Sequence, residues 1–199
     1  ITTLDPALQA QAEETVAGVL PADGPAAAVV VTDPRSGAVR ALVGDPRHGP
    51  KPRFNLATQG RRQPGSAFKP IALATALSRG VSLDREFPGG ACARFAEVAG
   101  WDDGVCNYGG PAYGPLTLRE ATVKSVNTTY ARLAVELGPA ALRDTAQALG
   151  LGRLPDVPAI ALGAGEVTPM ALAGAYGAFA DRGRWRAPYL VERVETLAG

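Results

Sequence analysis

The strand and turn pattern between residues 26 and 44 limits the fold more than any other feature of the sequence. A valine-rich apolar run, AAAVVVTD, is followed by the turn residues PRSG and by a second apolar run, AVRALVG. Two such runs around a short turn predict a β-hairpin. Helical patterns occur on both sides of it, so the chain must combine a hairpin with several helices in an α/β mixture.

Capping residues and prolines set the predicted helix boundaries. Asp5 and Pro6 are typical of a helix start, and Thr117 with Glu120 fits a capping box. The helices are expected at about residues 6–20, 67–78, 117–126, 127–138, 139–149 and 169–182. Residues 45–65 are predicted to be irregular and residues 80–115 to form a long loop, whereas residues 188–196 have strand character.

Composition limits the classes of function. The chain has 199 residues, of which 46% are hydrophobic and 20% charged, with a net charge of +1. These values are typical of one soluble globular domain or a large part of one. No basic field is present, which argues against nucleic acid binding. No apolar run is long enough to span a membrane, so we expect membrane attachment only through an upstream anchor.

The two cysteines, Cys92 and Cys106, lie on either side of a loop rich in Gly and Asp. With only His48 to assist them they cannot form a zinc site. A disulfide is favoured, and two free buried thiols are the alternative. A disulfide would indicate an oxidising, extracytoplasmic compartment.

Lysine is rare in this chain, at three positions against seventeen arginines. Arginine keeps its proton in proteins, whereas a desolvated lysine can lose it and act as a general base. Lys69 follows Ser66 by three residues, which places both on one helix face. We therefore hypothesise that Lys69 activates Ser66 as a nucleophile. An N-cap serine beside a surface lysine is the alternative interpretation.

A second lysine, Lys124, precedes the sequence SVN at residues 125–127. SxN is the second element of Ser-Lys acyl-transfer sites, although a polar kink between two helices would give the same letters. The single histidine, His48, is far from any GxSxG elbow, which excludes a Ser-His-Asp triad. Ligands for a catalytic metal and nucleotide-binding motifs are also missing, so no cofactor is expected.

Several segments of the chain taken together resemble a known family. They are ITTLDPALQAQAEE, RFNLATQGRRQPGSAFKP, GPLTLREATVKSVNTTYARLAVELG and ALGAGEVTPMALAGAYGAFADRGRWRAPYLVERV. From residue 1 to about residue 195 the chain resembles the transpeptidase domain of penicillin-binding proteins, closest to the bifunctional class A type. The resemblance implies the α+β fold shared with serine β-lactamases, in which a helical subdomain packs with an antiparallel sheet.

The resemblance also implies roles for four residues. Ser66 would attack the penultimate D-Ala carbonyl of a peptidoglycan stem peptide, and Lys69 would take its proton. Ser125 would relay the proton to the leaving D-Ala nitrogen, while Asn127 would hold the substrate amide and Lys69. Stem peptides and β-lactam antibiotics are the implied ligands.

Other positions carry weaker expectations. Trp101 and Tyr108 would line the substrate cleft or, with equal weight, cover the core. Glu166 and Thr168 match a family segment that precedes a helix, where a structural role is expected.

One family motif is missing from the 199 residues. The third motif, KTG or KSG on a strand, does not occur, and RSG at residues 35–37 fits the hairpin turn. We therefore expect residues 1–199 to be the N-terminal and central part of the domain, with an incomplete sheet that a C-terminal segment carrying KTG would complete. A D,D-carboxypeptidase or β-lactamase, and a catalytically silent sensor or wall-binding fragment, are the alternative functions.

Overall fold

The computed structural model describes residues 1–21, 23–44 and 54–196. It divides into two compact units. The first comprises Ile1–Arg62, Ala148–Gly152 and Val167–Gly199, and the second comprises Gln63–Gln147 and Arg153–Glu166. The mixture of helices with antiparallel strands confirms the predicted fold class.

The regular elements alternate along the chain. The helices are α1 Pro6–Val19, α2 Lys69–Ser78, α3 Leu118–Val123, α4 Asn127–Leu137, α5 Pro139–Ala148 and α6 Pro169–Ala180. The strands are β1 Val29–Thr32, β2 Val39–Val43, β3 Glu86–Gly89, β4 Cys92–Ala93, β5 Val105–Cys106 and β6 Gly114–Thr117. Two short 3-10 helices cover Gly65–Phe68 and Pro158–Leu162.

The predicted hairpin forms the centre of the first unit. Strands β1 and β2 pair antiparallel, with an irregularity between Val31 and Thr32. In the turn, the carboxylate of Asp33 accepts the backbone N–H of Arg35 at 2.9 Å. Strand β2 alternates buried and half-buried residues, as a strand with one face on the core does. Helix α1 packs on β2, and α6 packs on β1.

The ends of the chain were predicted with different success. Asp5 caps α1 as expected, because its Oδ1 accepts the N–H groups of Ala7 and Leu8. The strand predicted near the C-terminus is wrong in its extent. Residues 188–196 form isolated bridges, Thr2 with Val191 and Ala38 with Tyr189, rather than a continuous strand.

Helix α4 is the centre of the second unit. Six of its eleven residues are buried, namely Thr128, Thr129, Tyr130, Ala131, Leu133 and Ala134. It packs against α2, β3, β5 and the second 3-10 helix. Because a helix buried on so much of its surface is fixed by its neighbours, the residues at its N-terminus are held in place as well.

The segment 80–115 was predicted as a loop, and this was wrong in part. It contains β3, β4, β5 and the start of β6, and β3 pairs antiparallel with β6. The strands escaped prediction because they are two to four residues long and because Pro88 lies opposite Pro115. Two-stranded ribbons consist of edge strands, where proline is tolerated.

A close backbone approach lies behind the turn that carries Ser66. Gly163 has φ of +86°, and a Cβ added there would lie 2.3 Å from the backbone nitrogen of Gly65 and 2.4 Å from its oxygen. No side chain fits in that space. A glycine is therefore required at this position both for its conformation and for the contact.

No helix in the described part of the chain combines the length and the apolarity needed to cross a membrane.

The capping box of α3 should contribute measurably to stability. Thr117 Oγ1 accepts the N–H of Glu120, and Glu120 accepts the N–H of Thr117. We expect Thr117→Ala to lower the free energy of unfolding by about 1 kcal/mol in urea denaturation. Thr15→Ala is the control, since Thr15 is an exposed residue within α1. An equal loss in both variants would contradict a specific capping effect.

Gly163→Ala should disturb the Gly65 turn, since the new methyl group meets main-chain atoms that cannot move independently. The expected result is a loss of well over 1 kcal/mol in the free energy of unfolding. Gly80→Ala is the matched control, because Gly80 also has positive φ but a Cβ there meets no atom within 4 Å. Equal destabilisation of the two variants would show that backbone strain alone decides.

Candidate active site

Ser66 lies on an exposed 3-10 turn at the entrance to α2. The turn follows Pro64 and begins at Gly65, whose φ is +56°, and the Lys69 N–H closes it on the Ser66 carbonyl. The predicted helix therefore begins as a 3-10 helix rather than as an α-helix. The Ser66 side chain is solvent-exposed, so its Oγ is accessible to a ligand.

Lys69 is buried, with 2% of its surface accessible to solvent. Its Nζ lies 3.0 Å from Ser66 Oγ, 2.8 Å from the Ser125 carbonyl oxygen and 2.9 Å from Ser125 Oγ. It also donates to Asn127 Oδ1 at 2.7 Å. The alternative of an N-cap serine beside a surface lysine does not fit this geometry. All four residues expected to act together meet at one nitrogen atom.

The environment of Lys69 favours its neutral form. Burial lowers its pKa from 10.5 to about 8. None of the ion pairs among the described residues includes Lys69, so no carboxylate opposes this effect. A neutral amine has two N–H groups and one lone pair. The Ser125 carbonyl and Asn127 Oδ1 can only accept, which leaves the lone pair for a hydroxyl proton.

Ser125 adopts an unusual backbone conformation between α3 and α4. Its φ is +54°, in the left-handed region that residues other than glycine seldom adopt. This conformation lets both the carbonyl oxygen and the hydroxyl of one residue contact Lys69 Nζ. The SVN segment is thus a kink between two helices, and the kink itself delivers two oxygen atoms to the lysine.

Asn127 is held at both ends of its carboxamide. Its Oδ1 accepts from Lys69, and its Nδ2 donates to the Cys106 carbonyl at 3.0 Å. These two contacts fix the orientation of the amide, because the reversed group would place a donor against Lys69 and an acceptor against a carbonyl. The second Nδ2 hydrogen is not needed for either contact.

Tyr130 is a site residue that the sequence did not reveal. Lys69 Nζ lies 5.6 Å from the centre of its ring, and the tyrosine has no exposed surface. Its hydroxyl is hydrogen-bonded with Thr122 Oγ1 at 2.8 Å, and burial raises its pKa. The position after SxNTT shows no pattern that would distinguish a residue beside the lysine from a core residue.

The other predicted positions have contacts of their own. Trp101 packs on Phe95, with ring centres 5.0 Å apart, and belongs to an apolar cluster. Tyr108 is 98% exposed. Thr168 Oγ1 accepts the N–H of Ala171 and caps α6. The substrate contacts of Trp101 and Tyr108 stay predictions.

Cys92 and Cys106 form a disulfide in the structure, and their strands β4 and β5 pair with each other.

Lys124 is exposed, with its Nζ 5.5 Å from the ring centre of Tyr113. His48 and Lys51 lie outside the described residues. Within the described ranges, no group of His, Cys, Asp and Glu side chains has the arrangement of a metal site.

Comparison with known proteins identifies the family of this chain. Residues 27–196 match the family model of the penicillin binding protein transpeptidase domain. The chain is 34% identical over 177 residues to penicillin-binding protein 1A of Neisseria flavescens. That match covers 86% of this chain and 22% of the relative, so the chain spans about a fifth of its length.

Solved structures share the fold over nearly the whole chain. PonA1 of Mycobacterium tuberculosis in complex with penicillin V has a TM-score of 0.86 and 30% identity, over 100% of this chain and 55% of that chain. The penicillin G acyl-enzyme complex of penicillin-binding protein A from M. tuberculosis has a TM-score of 0.79 and 29% identity, over 95% and 53% of the two chains. This chain belongs to the transpeptidase family of the penicillin-binding proteins.

Proposed function

We propose that this chain forms the acyl-enzyme centre of a serine D,D-transpeptidase that cross-links peptidoglycan stem peptides. The observation that carries the proposal is the contact between an exposed serine hydroxyl and the amine of a buried lysine. Ser66 Oγ is exposed, and 3.0 Å from it lies the amine of a lysine that is 2% exposed. Because burial lowers the pKa of this amine, Lys69 can lose its proton and act as the base for Ser66 in place of a histidine.

In the first step Ser66 Oγ forms a bond to the carbonyl carbon of the penultimate D-Ala. Its proton passes to the lone pair of Lys69, which becomes an ammonium. The ammonium keeps the acceptors that the neutral amine had, because the Ser125 carbonyl and Asn127 Oδ1 remain in place. The developing oxyanion would receive a hydrogen bond from the backbone N–H of Ser66.

Collapse of the intermediate requires a proton on the leaving nitrogen. Ser125 Oγ lies 2.9 Å from Lys69 Nζ and is exposed, so it can take a proton from the ammonium and pass its own to that nitrogen. The C–N bond then breaks, D-Ala leaves and an ester on Ser66 remains. The amine of a neighbouring stem peptide then attacks the ester carbonyl and forms the C–N bond of the cross-link. The C–O bond to Ser66 breaks, and the amine proton returns to Ser66 Oγ.

Asn127 would align the substrate in this scheme. One Nδ2 hydrogen donates to Cys106, and the second is the donor we assign to a carbonyl of the bound stem peptide. The group that binds the terminal carboxylate would come from a C-terminal segment carrying KTG, which we propose as a partner of this chain.

β-Lactams would acylate the same serine, since their amide presents a carbonyl in the position of the D-Ala peptide bond. The penicillin complexes of two mycobacterial neighbours support this ligand class. The disulfide supports an extracytoplasmic location, where such bonds persist and where peptidoglycan is assembled.

Intact-mass spectrometry with benzylpenicillin tests the acyl-enzyme directly. We expect a stable gain of one penicillin mass in the wild-type protein and none in Ser66→Ala. Ser78→Ala is the matched control, because Ser78 is an exposed serine at the end of the same helix, and it should gain the adduct. An adduct that disappears rapidly would indicate a hydrolase, and no adduct at all would favour a silent binding module.

Lys69→Arg separates the role of charge from the role of proton transfer. Arginine retains its proton, so we expect the acylation rate to fall about 100-fold or more. Lys124→Arg is the matched control and should acylate at the wild-type rate, because Lys124 is exposed. Stopped-flow or timed mass spectra give the rates. Normal acylation by Lys69→Arg would exclude the general-base role.

The pH dependence follows from the same residue. The base is active when neutral, so the acylation rate should rise with pH and level off above the Lys69 pKa of about 8. Near pH 7 about one lysine in ten would be neutral. Rates of penicillin acylation measured from pH 6 to 9.5 should show this rise, and a profile flat over that range would contradict a titrating Lys69.

A further inference from the structure

Helix α4 starts without a cap of its own, although it carries Asn127. The residue at its N-cap position, Val126, makes no side-chain hydrogen bond to the first turn. The first N–H groups of a helix have no partner within the helix and need acceptors from elsewhere. The residue just before Val126 is Ser125, whose left-handed backbone gives the chain no regular lead into the helix.

The missing acceptor comes from a residue 21 positions earlier in the chain. Asn107 Oδ1 accepts the backbone N–H of Thr128 at 3.1 Å. Asn107 is 6% exposed, and it is one of the few buried polar residues in the described part of the chain. An N-cap side chain normally accepts such an N–H from the residue just before its own helix. Asn107 does the same for α4 from a distant part of the chain.

The other polar groups of Asn107 also form hydrogen bonds. Its Nδ2 donates to the carbonyls of Gly90 at 3.0 Å and Pro111 at 2.9 Å, and its backbone N–H donates to Ala91 at 2.8 Å. Thr128 Oγ1 donates to the same Gly90 carbonyl at 3.1 Å. The side chain thus joins both halves of the 90–111 segment to the start of α4.

The neighbour of Asn107 contacts the candidate active site. The carbonyl of Cys106 accepts from Asn127 Nδ2 at 3.0 Å, and the sulfur of Cys106 is bonded to Cys92. The dipeptide 106–107 therefore fixes two adjacent groups of α4, the backbone of Thr128 and the side chain of Asn127. The other end of the Asn127 carboxamide meets Lys69 Nζ at 2.7 Å.

We propose that Asn107 is a positioning residue for acylation, which sets the start of α4 and the place of the Cys106 carbonyl and so aims the Asn127 carboxamide at Lys69. The effect of Asn107 on the acylation rate rests on the proposed function. The effect of Asn107 on the Asn127 side chain does not depend on that function. A residue that merely stabilised the loop would lower stability without acting through Asn127.

A double-mutant cycle distinguishes these roles. We expect Asn107→Ala to slow penicillin acylation about tenfold or more in the wild-type background and to have no further effect in Asn127→Ala, since the group it positions is then absent. Thr168→Ala is the control, because it removes the cap of α6 and should leave the acylation rate unchanged. Independent, multiplicative losses from Asn107→Ala and Asn127→Ala would overturn the proposal.

A second readout does not depend on acylation. The side-chain N–H resonances of Asn127, identified by their loss in Asn127→Ala, should shift in Asn107→Ala as the bond to Cys106 changes. If they shift while the wild-type protein forms no penicillin adduct, the positioning role stands and the proposed function fails. Unchanged resonances would overturn the positioning role whatever the acylation rate.

Should Asn107→Ala fail to fold, Asn107→Asp carries the same test. It keeps an oxygen for Thr128 and loses the two Nδ2 donations. We expect a partial loss of acylation that again vanishes in the Asn127→Ala background. Persistence of the full loss in that background would overturn the proposal.

Discussion

The desolvation of a single amine is the constraint on which the rest of the second unit depends. Lys69 is nearly inaccessible, and its nitrogen has four oxygen atoms around it but no carboxylate partner among the residues that the structure describes. Burying a charge without a counterion is costly, and the cost falls when the group gives up its proton. The surrounding structure supplies oriented neutral dipoles instead of charge. The Ser125 carbonyl and Asn127 Oδ1 can accept hydrogen bonds from the amine in either protonation state.

Three elements distant in sequence have to meet for this arrangement to exist. The 3-10 turn carries Ser66, the kink after α3 carries Ser125, and the first residue of α4 is Asn127. Two of them, the turn and the start of α4, depend on residues outside themselves. Gly163 permits the close approach behind the turn, and Asn107 supplies the acceptor that α4 lacks. The precision of the candidate site therefore comes from packing and hydrogen bonds around it rather than from the local preferences of Ser66, Ser125 and Asn127.

The parts that could be predicted from sequence were those with local causes. Asp5, Thr117 and Thr168 set helix starts that are visible within four residues, and the valine-rich runs indicated the hairpin. The four residues at Lys69 were found through the scarcity of lysine and the motif spacing. The paired strands of residues 86–117 and the trans cap by Asn107 depend on contacts across 12 to 31 positions, which no local pattern records. Tyr130 was missed because its position beside Lys69 also depends on a contact between residues distant in sequence.

The contact between Gly163 and Gly65 also bears on how such a site can change over generations. The space behind the nucleophile turn is closed to any side chain, so natural variation has little to explore there. Ser66 itself is exposed to solvent. A substitution at residue 163 must therefore displace the main chain that carries Ser66, whereas a substitution on the solvent side of the serine leaves that contact unchanged.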